Sequence, residues 1–156
     1  FYTRGMSFID MAYLKKSDLK NGIITYRRRK TGQQLTVKWE KCMEDIIAKY
    51  GENTATRYLL PIITNPCSDE RTQYRNAICR INVALKEVAG LAGLNIPLTM
   101  HVARHCWASV AKSKNIPLSV ISEGMGHDSE ETTRIYLASL DTSVVAKANS
   151  LILKDF

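Results

Sequence analysis

A chain of 156 residues with 45% apolar and 24% charged residues can close one hydrophobic core, and no apolar run in it approaches the ~20 residues needed to cross a bilayer. Its 22 Lys and Arg against 15 Asp and Glu leave a formal charge of +7, an argument for a polyanionic partner. Cys42, Cys67, Cys79 and Cys106 form no CxxC pair and no even framework, which disfavours a disulfide-built secreted scaffold and fits a reducing compartment.

No basic-then-apolar secretion signal opens the sequence. The first residues, FYTRGMSF, contain no initiator Met and read as cut within an element, so a fragment of a longer protein is expected. Apolar residues from Met6 to Leu14 predict a short helix that starts at Ser7 or Gly5, with Arg4 just ahead of it. NGIITYRRRKTGQQLTVKW reads as a hairpin: a strand over 23–29, a turn holding Thr31 and Gly32, and a return through Leu35, Val37 and Trp39. Lys30 falls at or near its tip. The basic stretch Tyr26 to Gln34 suits backbone phosphate.

Trp39, Met43, Ile46 and Ile47 recur at helical spacing before Gly51, predicting a helix over 39–50. In the long connection that follows, the apolar burst YLLPII contains a proline and is expected to be buried and extended. Helical periodicity resumes over 71–91 through Tyr74, Ile78, Ile81, Val83, Leu85 and Val88, and Gly90 and Gly93 end it. Thr99 is suited to cap a helix running to about Lys114. Pro117 fits the first turn of the next, which Gly124 closes. Asp128 or Ser129 can cap a third, with Glu130 and Glu131 in its first turn. Asp141 or Thr142 can cap a fourth carrying Val144, Val145, Ala148, Leu151 and Ile152. The expected class is α+β, mainly α-helical, with helices around one small antiparallel sheet in a single domain over 1–156.

The stretch TMHVARHCWASVAKS decides what chemistry to look for. His101 and His105 stand at i and i+4, the spacing of a zinc protease helix, but Val102 occupies the place of that motif's Glu and no further ligand has matching spacing. A phosphate site suits the residues better. With Thr99 as cap, His101 and Arg104 project near a helix N-terminus, where free N–H groups, the helix dipole and a guanidinium fork favour non-bridging phosphate oxygens. An ordinary helix end with a surface Arg remains the plain alternative. In EGMGHDSEETTRIYLAS, His127 follows two glycines, where the chain can turn tightly, and Tyr136 stands nine residues later; by itself that tyrosine reads as core.

An early Arg, a Lys at a hairpin tip, His-x-x-Arg on a later helix, Gly-His and then a Tyr form a set that resembles the catalytic domain of the tyrosine recombinase (phage integrase) family. The pieces MHVARHCWAS and GMGHDSEETTRIYLAS are the specific ones, and the same order of elements runs along nearly the whole chain. The resemblance implies Arg4 as first catalytic arginine, Lys30 as the hairpin lysine, His101 and Arg104 as the His-x-x-Arg pair, His127 as the second histidine position and Tyr136 as nucleophile. Met125 and Ala103 stand where the family usually has Leu, and both remain apolar. The family's N-terminal DNA-clamping domain and the helix expected ahead of Arg4 do not occur in this sequence.

The implied reaction is site-specific cleavage and rejoining of double-stranded DNA through a 3′-phosphotyrosyl link. A tyrosine with a pKa near 10 is a poor nucleophile until its proton is removed or the phosphate is made a much better electrophile. The resemblance gives the arginines the phosphate, with a further hydrogen bond from His127; it gives His101 the tyrosine proton and Lys30 the protonation of the 5′-oxygen. No cofactor and no metal are implied, because the phosphotyrosyl link keeps the phosphodiester's energy. The implied partners are double-stranded DNA and sister copies: a tetramer on paired sites, a monomer as an isolated domain, with the terminal amphipathic helix docking on a neighbour or folding back. The implied location is the bacterial cytoplasm, on the nucleoid when active, with no membrane. The rivals are a catalytically inactive DNA-binding domain and a type IB topoisomerase-like relaxing enzyme. The former would be expected to have lost at least one of the six residues, and the Gly-His spacing argues against the latter.

Overall fold

The structure, a computed structural model, describes residues 1–51, 55–95 and 97–137. The helix expected from Asp141 or Thr142 onward lies outside them. Ser7 caps the first helix, α1 (Phe8–Ala12), accepting from the Asp10 amide at 3.3 Å and donating its hydroxyl to the Asp10 carboxylate at 2.6 Å. A single 3-10 turn then leads into an antiparallel sheet of three strands in the order β1 (Leu19–Lys20), β2 (Ile23–Arg27), β3 (Gln34–Lys38). Strand β1 was not anticipated, because two residues are too few to show a period.

Alternation settles which face of the sheet is buried. Ile24 pairs with Val37 and Tyr26 with Leu35, and all four side chains point to one face. There they meet Met6 and Leu14 around α1 and Met43 of α2 (Lys41–Ala48) in one core cluster. Fully burying one such aliphatic side chain contributes roughly 1.5–3 kcal/mol. The strand expected to reach Arg29 ends at Arg27, because the Arg28 amide donates to Gln33 O at 2.9 Å and Gly32 N to Arg28 O at 2.8 Å, closing the turn. Helix α2 begins two residues later than the pattern predicted: Trp39 N donates to Gly22 O at 2.8 Å and stays with the sheet.

YLLPII has no regular structure, but Tyr58 bridges Lys15, and Tyr58 and Ile63 are buried with Ala12. Asp69 caps the long helix α3 (Glu70–Leu91), whose Tyr74 stacks on Phe8 at 5.7 Å between ring centroids. Only Ala77 and Ala89 of α3 are buried; Val83 and Val88, expected on its inner stripe, are exposed. Three shorter helices complete the described chain. They are α4 (Met100–Ser113), capped by Thr99 as expected, α5 (Leu118–Met125) and α6 (Glu130–Tyr136), capped by Ser129. Pro117 is the N-cap of α5, one place earlier than expected, and Gly124 lies inside the helix. The stop is Gly126, left-handed at φ 65°. Ala108, Ile121, Met125 and Leu137 form the core joining α4, α5 and the end of α6. No described helix is long and apolar enough to cross a membrane.

Candidate active site

Arg104 stands between the turn that leads into α1 and the end of α5. It lies one turn into α4 and is 5% exposed, so its charge needs fixed partners. One terminal nitrogen donates to Gly5 O at 2.7 Å and the other to Met125 O at 2.6 Å, which joins the turn before α1 to the end of α5. The second nitrogen also lies 3.1 Å from His127 Nε2.

The turn carrying Arg4 is shaped by that arginine's backbone. A Cβ on Gly5 would lie 2.8 Å from Arg104 Cα, and Gly5 is left-handed at φ 66°, so only glycine fits. Arg4 is left-handed as well, at φ 55°, a conformation that costs a non-glycine residue about 1–2 kcal/mol. Its Cδ comes within 3.7 Å of where a Gly124 Cβ would stand, and Trp107 closes on the same glycine at 3.1 Å. Arg4 is therefore brought over α5, beside Arg104.

His127 follows the left-handed Gly126. Its Nδ1 lies 2.8 Å from Thr133 Oγ1, and Thr133 is fully buried on α6. Burial chiefly, then the charges of Arg104, Arg28 and Lys30 against an opposing pull from Asp128, brings its pKa down to about 4. His101, exposed in the first turn of α4, is also lowered, by burial first and then by His105, Arg104 and Lys30. The two histidines of α4 meet edge to face at 4.7 Å. Lys30 stands exposed at the hairpin tip, and its field reaches both His101 and His127. Tyr136 is the last residue of α6; its side chain lies outside the described part of the structure. The chain beside it is anchored: Leu137 is buried in the helical core, and its carbonyl accepts from Lys112 Nζ at 3.4 Å.

Five of the six residues named from the sequence thus share one region: Arg4, Lys30, His101, Arg104 and His127. The sixth, Tyr136, ends the helix that Thr133 ties to it. Convergent cations around neutral imidazoles suit an oxyanion that gains charge during reaction. Tyr26 also feels Arg28, Arg104 and Arg4, yet burial and Asp10 push its pKa up to about 12, which makes it a core residue and not a nucleophile.

Sequence reasoning missed three residues here: Arg28, Asp10 and Thr133. Arg28 is 7% exposed and donates to Gly126 O, while its Nε faces the buried Asp10 carboxylate at 4.0 Å. The signal was present, since Arg28 shares strand parity with the inward Ile24 and Tyr26. The run of arginines is thus no uniform basic patch. Arg27 donates to Gly32 O at 3.1 Å, Arg28 turns inward, and Arg29 lies over the Tyr13 ring at 3.9 Å. Thr133 carried no sequence signal at all.

A family model described as the phage integrase family matches residues 2–143. Among solved structures the chain is similar to a XerA recombinase, with TM-score 0.69 and 24% identity over 96% of this chain and 52% of that one. It is also similar to the XerH site-specific recombinase bound to difH substrate in a pre-cleavage complex, with TM-score 0.59 and 19% identity over 95% and 46%. The catalytic domain of bacteriophage HP1 integrase gives TM-score 0.51 and 20% identity over 94% and 74%. At these identities the likeness shows the fold, a small antiparallel sheet among helices as in tyrosine recombinase catalytic domains. The chain spans about half the length of the XerA and XerH chains. No curated protein matches it. Since the family match runs over nearly the whole sequence, the chain belongs to the phage integrase family.

Proposed function

We propose that the chain is the catalytic portion of a site-specific tyrosine recombinase, which cleaves and rejoins double-stranded DNA through a 3′-phosphotyrosyl link at Tyr136. The observation that carries this reading is the bridge made by Arg104. One guanidinium holds the left-handed Arg4–Gly5 turn, the end of α5 and His127 together, and His127 in turn meets the helix that ends at Tyr136.

In the proposed reaction Arg4 and Arg104 clamp the non-bridging oxygens, and their contacts strengthen as charge grows on the phosphorus. The Tyr136 oxygen attacks phosphorus, and the P–O5′ bond breaks. His101, neutral near pH 7 because its pKa is lowered, accepts the tyrosine proton, and Lys30 protonates the departing 5′-oxygen. Membership of the family and likeness to the XerH protein bound to its difH substrate support DNA as the partner. We assign a tetramer on paired sites as the working assembly.

Junction sequencing of the recombined DNA supplies the target site. A nicked suicide duplex built on that site, run on a denaturing gel, then tests the chemistry. Wild-type protein is expected to form a covalent adduct that Tyr136→Phe lacks while still binding the duplex. Adducts persisting in the Phe variant would remove Tyr136 from the reaction.

A further inference from the structure

We propose that Arg28 is a positioning residue for this site, setting the hairpin that carries Lys30 against the turn that carries His127. The assignment rests on the recombinase reading above.

Arg28 stands two residues before Lys30, where strand β2 gives way to the tip. Its guanidinium donates to the carbonyl of Gly126, the residue immediately before His127. On its other side is Asp10, whose side chain is 1% exposed. That carboxylate also accepts from the Arg29 backbone amide at 2.8 Å and from Ser7. The arginine and its acid therefore join three pieces of chain: the helix after Arg4, the base of the Lys30 tip and the Gly126–His127 turn. The fit is close. A Cβ on Gly126 would stand 2.7 Å from Arg28 Cδ and 2.9 Å from Leu35 Cδ1, so the turn is pressed against the hairpin.

A buried guanidinium held in this way is not displayed for backbone phosphate. Lysine cannot replace it fully, because a single ammonium lacks the fork that reaches both the carbonyl and the carboxylate. Arg28 also helps keep His127 neutral by charge repulsion. Misplacing Lys30 or His127 by about 1 Å is the size of error that costs catalysis on the order of a hundredfold.

The test compares Arg28→Met, Arg28→Lys, Lys30→Ala and the double variant Arg28→Met with Asp10→Asn in the full-length protein. The double variant matters because removing Arg28 alone leaves a buried carboxylate without its cation, which can unfold the chain; Asn keeps an oxygen for the Arg29 amide. Cleavage of the suicide duplex is measured at saturating DNA. We expect the folded double variant to be slowed about a hundredfold with duplex affinity within about threefold of wild type, and Arg28→Lys to recover part of the rate. A duplex with sulfur at the 5′-bridging position needs no acid for its leaving group, and is expected to restore much of the rate in both the Lys30→Ala and Arg28 variants. In protein without DNA, the His127 imidazole is expected to titrate at higher pH when Arg28 is Met.

Wild-type rate in the double variant would make the Arg28–Asp10 pair merely structural and overturn the proposal. So would equal losses in rate and affinity, which indicate a phosphate contact, or sulfur rescue of Arg28→Met without rescue of Lys30→Ala, which would make Arg28 the acid itself. An unshifted His127 titration also counts against it, and that measurement needs no DNA. Failure of the wild-type protein to form any adduct sinks the recombinase reading instead.

Discussion

Arg104 and His127 meet at 3.1 Å through an arginine nitrogen and the histidine Nε2, and arginine can only donate. His127 therefore accepts at Nε2 and keeps its proton on Nδ1, where Thr133 Oγ1 takes it at 2.8 Å. In this arrangement Nε2 cannot also donate to a phosphate. The donor role implied by family resemblance requires Arg104 to leave Nε2 and Nε2 to carry a proton, either moved from Nδ1 or gained as the phosphate's negative charge arrives.

The same contact predicts how stability depends on pH. His127 has its pKa lowered from about 6.5 to about 4, so between those values the unfolded chain binds the proton and the folded chain does not. Stability should be fully present above about pH 6.5 and fall as pH drops toward about 4. His101 is lowered too and adds in the same direction. Urea midpoints at pH 7.5, 6.5, 5.5 and 4.5 should fall less steeply in His127→Gln than in wild type. Equal slopes would show that this imidazole is not responsible.

Thr133→Val keeps the shape of a fully buried side chain and removes the acceptor for the His127 proton. Leaving a part-buried donor without its partner costs about 1–3 kcal/mol. The expected result is a loss in that range in urea unfolding, while the Nδ1 and Nε2 nitrogen shifts still report the Nδ1–H tautomer, because Arg104 continues to donate to Nε2. A switch of those shifts to the other tautomer would mean that Thr133, and not Arg104, sets it.

Gly5→Ala tests the close approach beneath the Arg4 turn. The new methyl would stand 2.8 Å from the Arg104 Cα, on backbone that is already left-handed at φ 66°. Left-handed strain and overpacking together are expected to destabilise the protein by at least about 2 kcal/mol. A folded Ala variant with an unchanged urea midpoint would mean that the turn relaxes away from α4.

What could be read from the sequence was whatever local chemistry decides. Thr99 caps α4 through its own side chain, accepting from Val102 N at 3.4 Å, so that boundary was visible in a few residues. The Gly124 and Gly126 pair was not separable that way: both glycines precede His127, and which one stops α5 depends on Trp107 packing against Gly124 and Arg28 against Gly126. Val83 and Val88 keep helical spacing and still face outward, because periodicity records a stripe but not what covers it. Five of the six proposed catalytic residues could be placed together because motif spacing carries them, whereas Arg28 and Thr133 act through partners 98 and 6 residues away in the chain.

Arg4 and Arg104 should part company when each is removed, because one is held far more tightly by the protein than the other. Arg104 is 5% exposed and satisfies two backbone carbonyls, Gly5 O and Met125 O. Arg104→Ala leaves both acceptors without this donor inside the protein, at about 1–3 kcal/mol each, so it should lower the unfolding midpoint as well as cleavage. Arg4 lies in the turn at intermediate exposure, and Arg4→Ala removes a charge without opening that bridge. Its loss should slow adduct formation about a hundredfold at saturating DNA while the urea midpoint moves by less than about 1 kcal/mol. Gly5 also depends on Arg104 for its carbonyl, so the Arg104 variant should release the turn and displace Arg4. The double variant should then be no slower than Arg104→Ala alone. Rates that multiply across the two single variants would show instead that the two arginines act on the phosphate independently.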